Sequence, residues 1–113
     1  MIWKAIYLLS LMTMAFPVNA VVSVQDEINH LLAFVAKSDC HYERNGTLHS
    51  GAEALAHITK KYRYYQDDIE TTEDFISYSA SKSIISGNYY TIHCPNAPVI
   101  KSQNWLLEEL ANY

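Results

Sequence analysis

The sequence contains few of the residues that mark specialised kinds of chain. Its 113 residues include only three glycines, three prolines and two cysteines, and only 18% are charged. Collagen-like chains need far more glycine and proline, and disordered chains have fewer apolar residues than the 50% found here. No segment recurs at a period of roughly 20–50 residues, which excludes solenoids and propellers. The length and composition therefore predict one compact globular domain.

Long hydrophobic runs are absent as well. The longest apolar stretch, residues 5–16, follows a positive charge at Lys4. As a helix it would span about 18 Å, against about 30 Å for the hydrocarbon core of a bilayer. A short apolar run followed by small residues up to Ala20 is the layout of a cleavable secretory signal. We expect a signal peptide over residues 1–20 and a single globular domain over residues 21–113, exported and without a stable membrane anchor after cleavage.

Motifs that specify a reaction are missing. The five histidines and two cysteines show no CxxC, HxxxH or HExxH spacing, and no Gly-x-Ser-x-Gly elbow occurs. The sequence therefore assigns no catalytic residue, no metal ligand and no cofactor, and it favours a non-enzymatic binding or interaction module. The alternative is a small envelope enzyme or a metal-binding factor. For metal binding, the candidate ligands are four histidines that the hairpin and the further strand would bring near one another: His41, His49, His57 and His93.

Basic residues are too few for a nucleic-acid partner. Removal of Lys4 with the signal leaves seven of the eight basic residues against twelve acidic ones. Domains that bind nucleic acid are normally basic, because they neutralise phosphates. The partners that this acidic domain favours are an envelope protein or a small anionic or polyhydroxylated ligand.

The two cysteines predict a disulfide. Cys40 and Cys94 are the only cysteines of the chain, and both lie in the part that is expected to be exported. Two cysteines in an oxidising compartment most simply pair with each other. The bond would close a loop of about 55 residues and stabilise the small domain by roughly 4 kcal/mol.

Short-range patterns predict the secondary structure. Three capping boxes, each a Ser or Thr followed three residues later by an acidic residue, indicate helix starts at Ser23, Ser50 and Thr71. The Asn45-Gly46 pair favours a type I′ turn between two short strands. In chain order we expect a helix over 23–37, a hairpin over 41–49, helices over 51–66 and 72–82, a strand over 89–94 and a last helix capped by Ser102. The fold class is α+β, with a small antiparallel sheet, formed by the hairpin and one further strand, packed by about four helices.

A polar stripe on the second predicted helix points to a ligand site. His57 and Lys61 are four residues apart and share a helix face, and Arg44 lies at the hairpin turn. The serine-rich stretch that contains Ser81 and Ser83 is expected nearby. We expect these five residues to line one concavity for an anionic or polyhydroxylated ligand, with Arg44 as the main anchor. We expect the pKa of His57 to lie near its ordinary value of about 6.5. In mildly acidic medium the imidazole would then be protonated, and its positive charge would strengthen binding of an anion.

Several segments together resemble a known family. They are Ile28 to Leu32, Cys40, Arg44-Asn45-Gly46, Glu53-Ala54, His57-Ile58, Lys61-Tyr62, Glu73 to Ile76, Ala80-Ser81, Ser86-Gly87, Tyr90 to Cys94, and Trp105-Leu106 to Tyr113. This pattern covers nearly the whole of residues 21–113 and resembles the YfeK-like family of small bacterial periplasmic proteins, whose function is unknown. The resemblance implies a periplasmic location in a Gram-negative envelope. It implies no activity and no catalytic residue.

Overall fold

The computed structural model describes residues 21–113, and the predicted signal peptide over residues 1–20 lies outside the described residues. The elements of this part are α1 (Val24–Lys37), β1 (His41–Arg44), β2 (Thr47–His49), α2 (Gly51–Tyr64), a 3-10 turn (Gln66–Asp68), α3 (Thr72–Ser79), β3 (Thr91–His93), β4 (Ile100–Lys101) and α4 (Ser102–Ala111). None of these helices is long and apolar enough to cross a membrane. The predicted α+β class is confirmed.

The three predicted capping boxes are present at the starts of α1, α2 and α3. In each, the N-cap hydroxyl accepts a hydrogen bond from the backbone N–H three residues on, and the carboxylate of that residue accepts one from the N-cap N–H. The start of α2 also lies close against α1. A Cβ at Gly51 would sit 2.6 Å from the carbonyl oxygen of Val35, so the contact between these two helices depends on glycine.

The strands form one antiparallel sheet in the order β2-β1-β3-β4. Asn45-Gly46 has positive φ at both positions, 49° and 81°, as a type I′ turn requires. β3 pairs with β1 so that His41 lies opposite His93. This register brings Cys40 and Cys94 together with a Cα separation of 4.2 Å, and they form the predicted disulfide.

The helices cover one face of the sheet. Tyr42 and Ile92 pair across β1 and β3 and are both buried on that face, whereas Glu43 and Thr91 point the other way and are partly exposed. The centre of the core combines side chains from all four of these helices: Ile28, Leu31, Ile58, Phe75, Ile76 and Leu106. Burial of this apolar surface is the main favourable contribution to folding.

Some boundaries differ from the sequence prediction. α3 ends at Ser79 rather than near residue 82, since the Ser81 hydroxyl donates to the Ile76 carbonyl oxygen at 2.7 Å and the chain leaves the helix there. The last helix has Lys101 at its N-cap, while Ser102 is fully buried, so the prediction that Ser102 caps this helix was wrong. β4 was not predicted, because a strand of two residues has no alternating pattern.

Candidate functional site

A cleft of about 580 Å³ opens where the β1–β2 turn, α2 and the segment between α3 and β3 meet. Its polar lining includes Arg44, Asn45, His57, Lys61, Ser83 and Tyr90, and two exposed isoleucines, Ile84 and Ile85, form its outer lip. Three segments that are distant in sequence therefore contribute to one surface, which we name the Arg44 cleft.

Local structure places the charged side chains of the Arg44 cleft. Arg44 is the last residue of β1 and points to the same side of the strand as buried Tyr42, because side chains alternate along a strand. His57 and Lys61 lie one helical turn apart on α2 and therefore share a face. The antiparallel sheet and the packed helix thus bring two cations and an imidazole to the same side of the molecule.

Tyr90 lies at the base of the Arg44 cleft. It is only 2% exposed, and its hydroxyl lies 3.2 Å from His57 Nε2 and 3.3 Å from Lys61 Nζ. The Lys61 ammonium also lies 5.0 Å from the centre of the Tyr90 ring, within the range of a cation–π interaction. Burial raises the pKa of Tyr90, so at neutral pH the phenol is protonated and holds His57 and Lys61 in place.

His57 is electrically neutral in this arrangement. Arg44 Nη1 lies within hydrogen-bonding distance of the His57 ring nitrogens, and a guanidinium has only donors, so His57 must accept. Both neighbours are satisfied when Nδ1 accepts from Arg44 and Nε2–H donates to the Tyr90 hydroxyl. Burial, and then the charges of Arg44 and Lys61, lower the pKa of His57 to about 4. The expectation of a His57 pKa near 6.5 was therefore wrong.

Neither cation of the Arg44 cleft has an ion-pair partner among the described residues. In residues 21–113, no carboxylate lies within 4.0 Å of Arg44 or Lys61, and the ion pairs that are present all involve histidine. Lys61 is only 9% exposed, and its ammonium donates to the Lys82 carbonyl oxygen at 2.9 Å. Burial, with a further contribution from Arg44, lowers the pKa of Lys61. Buried charges in proteins are normally paired, whereas among the described residues Lys61 has only neutral hydrogen-bond acceptors.

Hydrogen bonds fix one rim of the cleft to the other. Asn45 Nδ2 in the hairpin turn donates to Ser83 Oγ at 3.3 Å, and Ser86 Oγ donates to Asn45 Oδ1 at 2.7 Å. The segment around Ser83 therefore has a defined position relative to Arg44.

The structure brings together four of the five residues that the sequence placed in one site. Arg44, His57, Lys61 and Ser83 line the cleft. Ser81 does not line it, because its side chain is buried and its hydroxyl donates to a carbonyl oxygen of α3. The side chain of Ser81 therefore has almost no exposed surface to offer a ligand.

Tyr90 and Asn45 belong to the polar lining of the cleft but were not among the predicted site residues. Tyr90 lies in the predicted strand over residues 89–94, and its ring is buried. A buried tyrosine hydroxyl usually has a polar partner. That rule indicates a nearby polar group, although the sequence alone does not identify His57 and Lys61 as the partners.

The histidines do not assemble a metal centre in the described part of the chain. Residues 21–113 contain no group of three or more His, Cys, Asp or Glu side chains that could hold a metal ion. His49 pairs with Glu53 at 3.3 Å and His93 pairs with Glu43 at 2.6 Å. Within residues 21–113 the four candidate histidines therefore do not converge on a metal site.

Comparisons with known proteins agree with the resemblance seen in the sequence. Residues 22–113 match a family described as a family of unknown function, DUF5329. The uncharacterized protein YfeK of Salmonella typhimurium strain LT2 is 36% identical over 80 residues, which cover 68% of this chain and 67% of that protein. No solved structure matches this chain. The predicted similarity to YfeK-like proteins is confirmed.

Proposed function

The chain belongs to the DUF5329 family of unknown function, and from the geometry of the Arg44 cleft we propose that it is a non-enzymatic module that binds a small anionic ligand. One observation carries the proposal: Arg44 and Lys61 line one cleft, and among residues 21–113 no carboxylate lies within 4.0 Å of either cation. The cost of keeping Lys61 almost buried and unpaired is offset when an anion enters. The cleft is thus preorganised for negative charge.

Arg44 is suited to be the main anchor. In the described residues its guanidinium bonds through Nη1 only, to His57, which leaves the other N–H groups for a ligand. A guanidinium holds a carboxylate or a phosphate through two parallel hydrogen bonds. His57 fixes the position of Arg44, and Lys61 adds a second charge from the base of the cleft.

We also propose that the domain acts outside the cytoplasm, in the periplasm. The disulfide between Cys40 and Cys94 supports this location, because such bonds persist in oxidising compartments. The signal-like pattern of residues 1–20 points the same way.

The proposal is tested by isothermal titration of residues 21–113 with inorganic phosphate, acetate and, as a neutral polyhydroxylated probe, glucose. We expect binding of at least one of the two anions. The variants Arg44→Gln and Lys61→Met should each weaken that binding by about tenfold or more, since each removes at least one charge-assisted hydrogen bond. Circular dichroism establishes that each variant is folded.

Two matched control variants distinguish the effect of losing a charge in the cleft from the effect of changing the net charge of the protein. Arg63→Gln and Lys37→Met make the same chemical changes at exposed positions that do not line the cleft. Both controls should bind within about twofold of the unmodified protein, since a screened surface charge contributes little. Absence of binding by both anions, binding of glucose alone, or equal losses in the controls and the cleft variants would overturn the proposal.

A further inference from the structure

Apolar side chains flank the cations of the Arg44 cleft. Ile84 and Ile85 at the lip are 67% and 98% exposed. Isolated exposed apolar residues are common on proteins, but these two are adjacent and lie directly beside a cluster of positive charge. A ligand with both apolar and charged parts would contact both features.

The loop that presents these isoleucines is held by its own hydrogen bonds. Ser83 N–H donates to the Asn88 carbonyl oxygen and Gly87 N–H donates to the Ser83 carbonyl oxygen, both at 2.9 Å. Gly87 has a φ of 73°, which glycine adopts without strain. The exposed position of the isoleucines therefore belongs to a defined turn.

A second depression continues from the cations on the side away from the hairpin turn. It has a volume of about 420 Å³ and shares Arg44, His57, Lys61 and Ile84 with the Arg44 cleft. Its far wall is formed by Tyr64 and Tyr65, whose rings pack edge to face with centres 4.8 Å apart. A surface trough thus runs from the cations between an isoleucine and an aromatic wall.

From this juxtaposition we infer that the ligand is an amphipathic anion, with a carboxylate or phosphate group on Arg44 and Lys61 and an apolar chain against Ile84 and the Tyr64–Tyr65 wall. The inference rests on the proposed function and names the chemical class of its ligand. Such a molecule is either a free alkyl carboxylate or phosphate, or a lipid that carries the same group. The lateral opening of the trough fits a chain that extends away from a head group held by the cations.

The inference is tested by titrating residues 21–113 with inorganic phosphate, butyl phosphate and octyl phosphate below the concentration at which micelles form. Each methylene that leaves water strengthens binding by up to about fourfold. Because the trough is open on one side, we expect octyl phosphate to bind roughly tenfold or more tightly than butyl phosphate. Sedimentation with vesicles of phosphatidylglycerol, compared with phosphatidylcholine, distinguishes a bilayer lipid from a free amphiphile as the source of the ligand.

Ile84→Ser should reduce the gain from butyl to octyl phosphate to about threefold or less. The gain is a ratio of two affinities of the same variant, so a change in its affinity for the phosphate group cancels. Val99→Ser is the matched control, since Val99 is an exposed apolar loop residue outside both depressions. Equal affinities for the three phosphates, or the same chain-length gain in Ile84→Ser as in the unmodified protein, would overturn this inference and leave anion binding intact. Absence of binding by every anion would instead overturn the proposed function.

Discussion

The His57 imidazole should make the folded domain sensitive to acid. Its pKa is about 4 in the fold, against about 6.5 in an unfolded chain. Between these two values the unfolded state binds more protons than the folded state, so stability rises with pH in this window. The contribution is fully present above about pH 6.5 and is lost as the pH falls towards 4.

The magnitude follows from the shift of the pKa. A shift of about 2.5 units corresponds to about 3 kcal/mol for a fully buried group, and because the cleft is open to solvent we expect about 1–2 kcal/mol. His57→Gln removes the titration but keeps one acceptor for Arg44 and one donor for Tyr90. When the pH is lowered from about 7 to about 4.5, the free energy of unfolding of the unmodified protein should fall by about 1–2 kcal/mol more than that of His57→Gln.

Two assays check the prediction. Urea unfolding at the two pH values gives the free energies, and an NMR titration of the histidine ring protons gives the pKa of His57 directly. The variant His41→Gln removes a histidine on the exposed face of the sheet. It is the control that shows how the loss of a histidine outside the cleft changes the pH dependence of the free energy of unfolding. A His57 resonance that titrates near pH 6.5, or equal pH dependence of His57→Gln and the unmodified protein, would refute the reasoning.

Two further predictions concern stability. Replacement of Cys40 and Cys94 by alanine should lower the free energy of unfolding by roughly 4 kcal/mol, because the disulfide closes a loop with a sequence separation of 54. Urea unfolding measures this loss, and an unchanged unfolding midpoint would contradict the prediction. Gly51→Ala should destabilise the protein by about 1–3 kcal/mol, because the added methyl group meets the Val35 carbonyl oxygen at 2.6 Å. A thermal midpoint equal to or above that of the unmodified protein would show that α1 and α2 are not in such close contact.

Much of the fold was predictable because its signals are local. The capping residue Ser50 and the turn Asn45-Gly46 act through bonds and angles within four residues, so neighbouring sequence is sufficient to place them. Whether Ser81 and Ser102 are exposed depends on what the folded chain packs against them. Both are buried, so Ser81 does not line the cleft and Ser102 does not cap the last helix. Sequence patterns do not contain that information.

The candidate site was predictable to the extent that helix geometry determines it. His57 and Lys61 necessarily share a face of α2, but their partner Tyr90 comes from a segment 29 to 33 residues away. The low pKa of His57 likewise results from burial and from Arg44, which approaches only after β1 and α2 have packed. Long-range contacts of this kind set both the charge and the shape of the cleft.

The most direct test of anion binding in the Arg44 cleft is an NMR titration of isotope-labelled residues 21–113 with inorganic phosphate at neutral pH. Anion binding at this site predicts saturable shifts of the Asn45 and Ser83 backbone amides and of the His57 ring, with little change around Lys37, which does not line the cleft. Saturable shifts centred elsewhere, or no saturable shift at any phosphate concentration, would contradict the assignment of this cleft as the binding site.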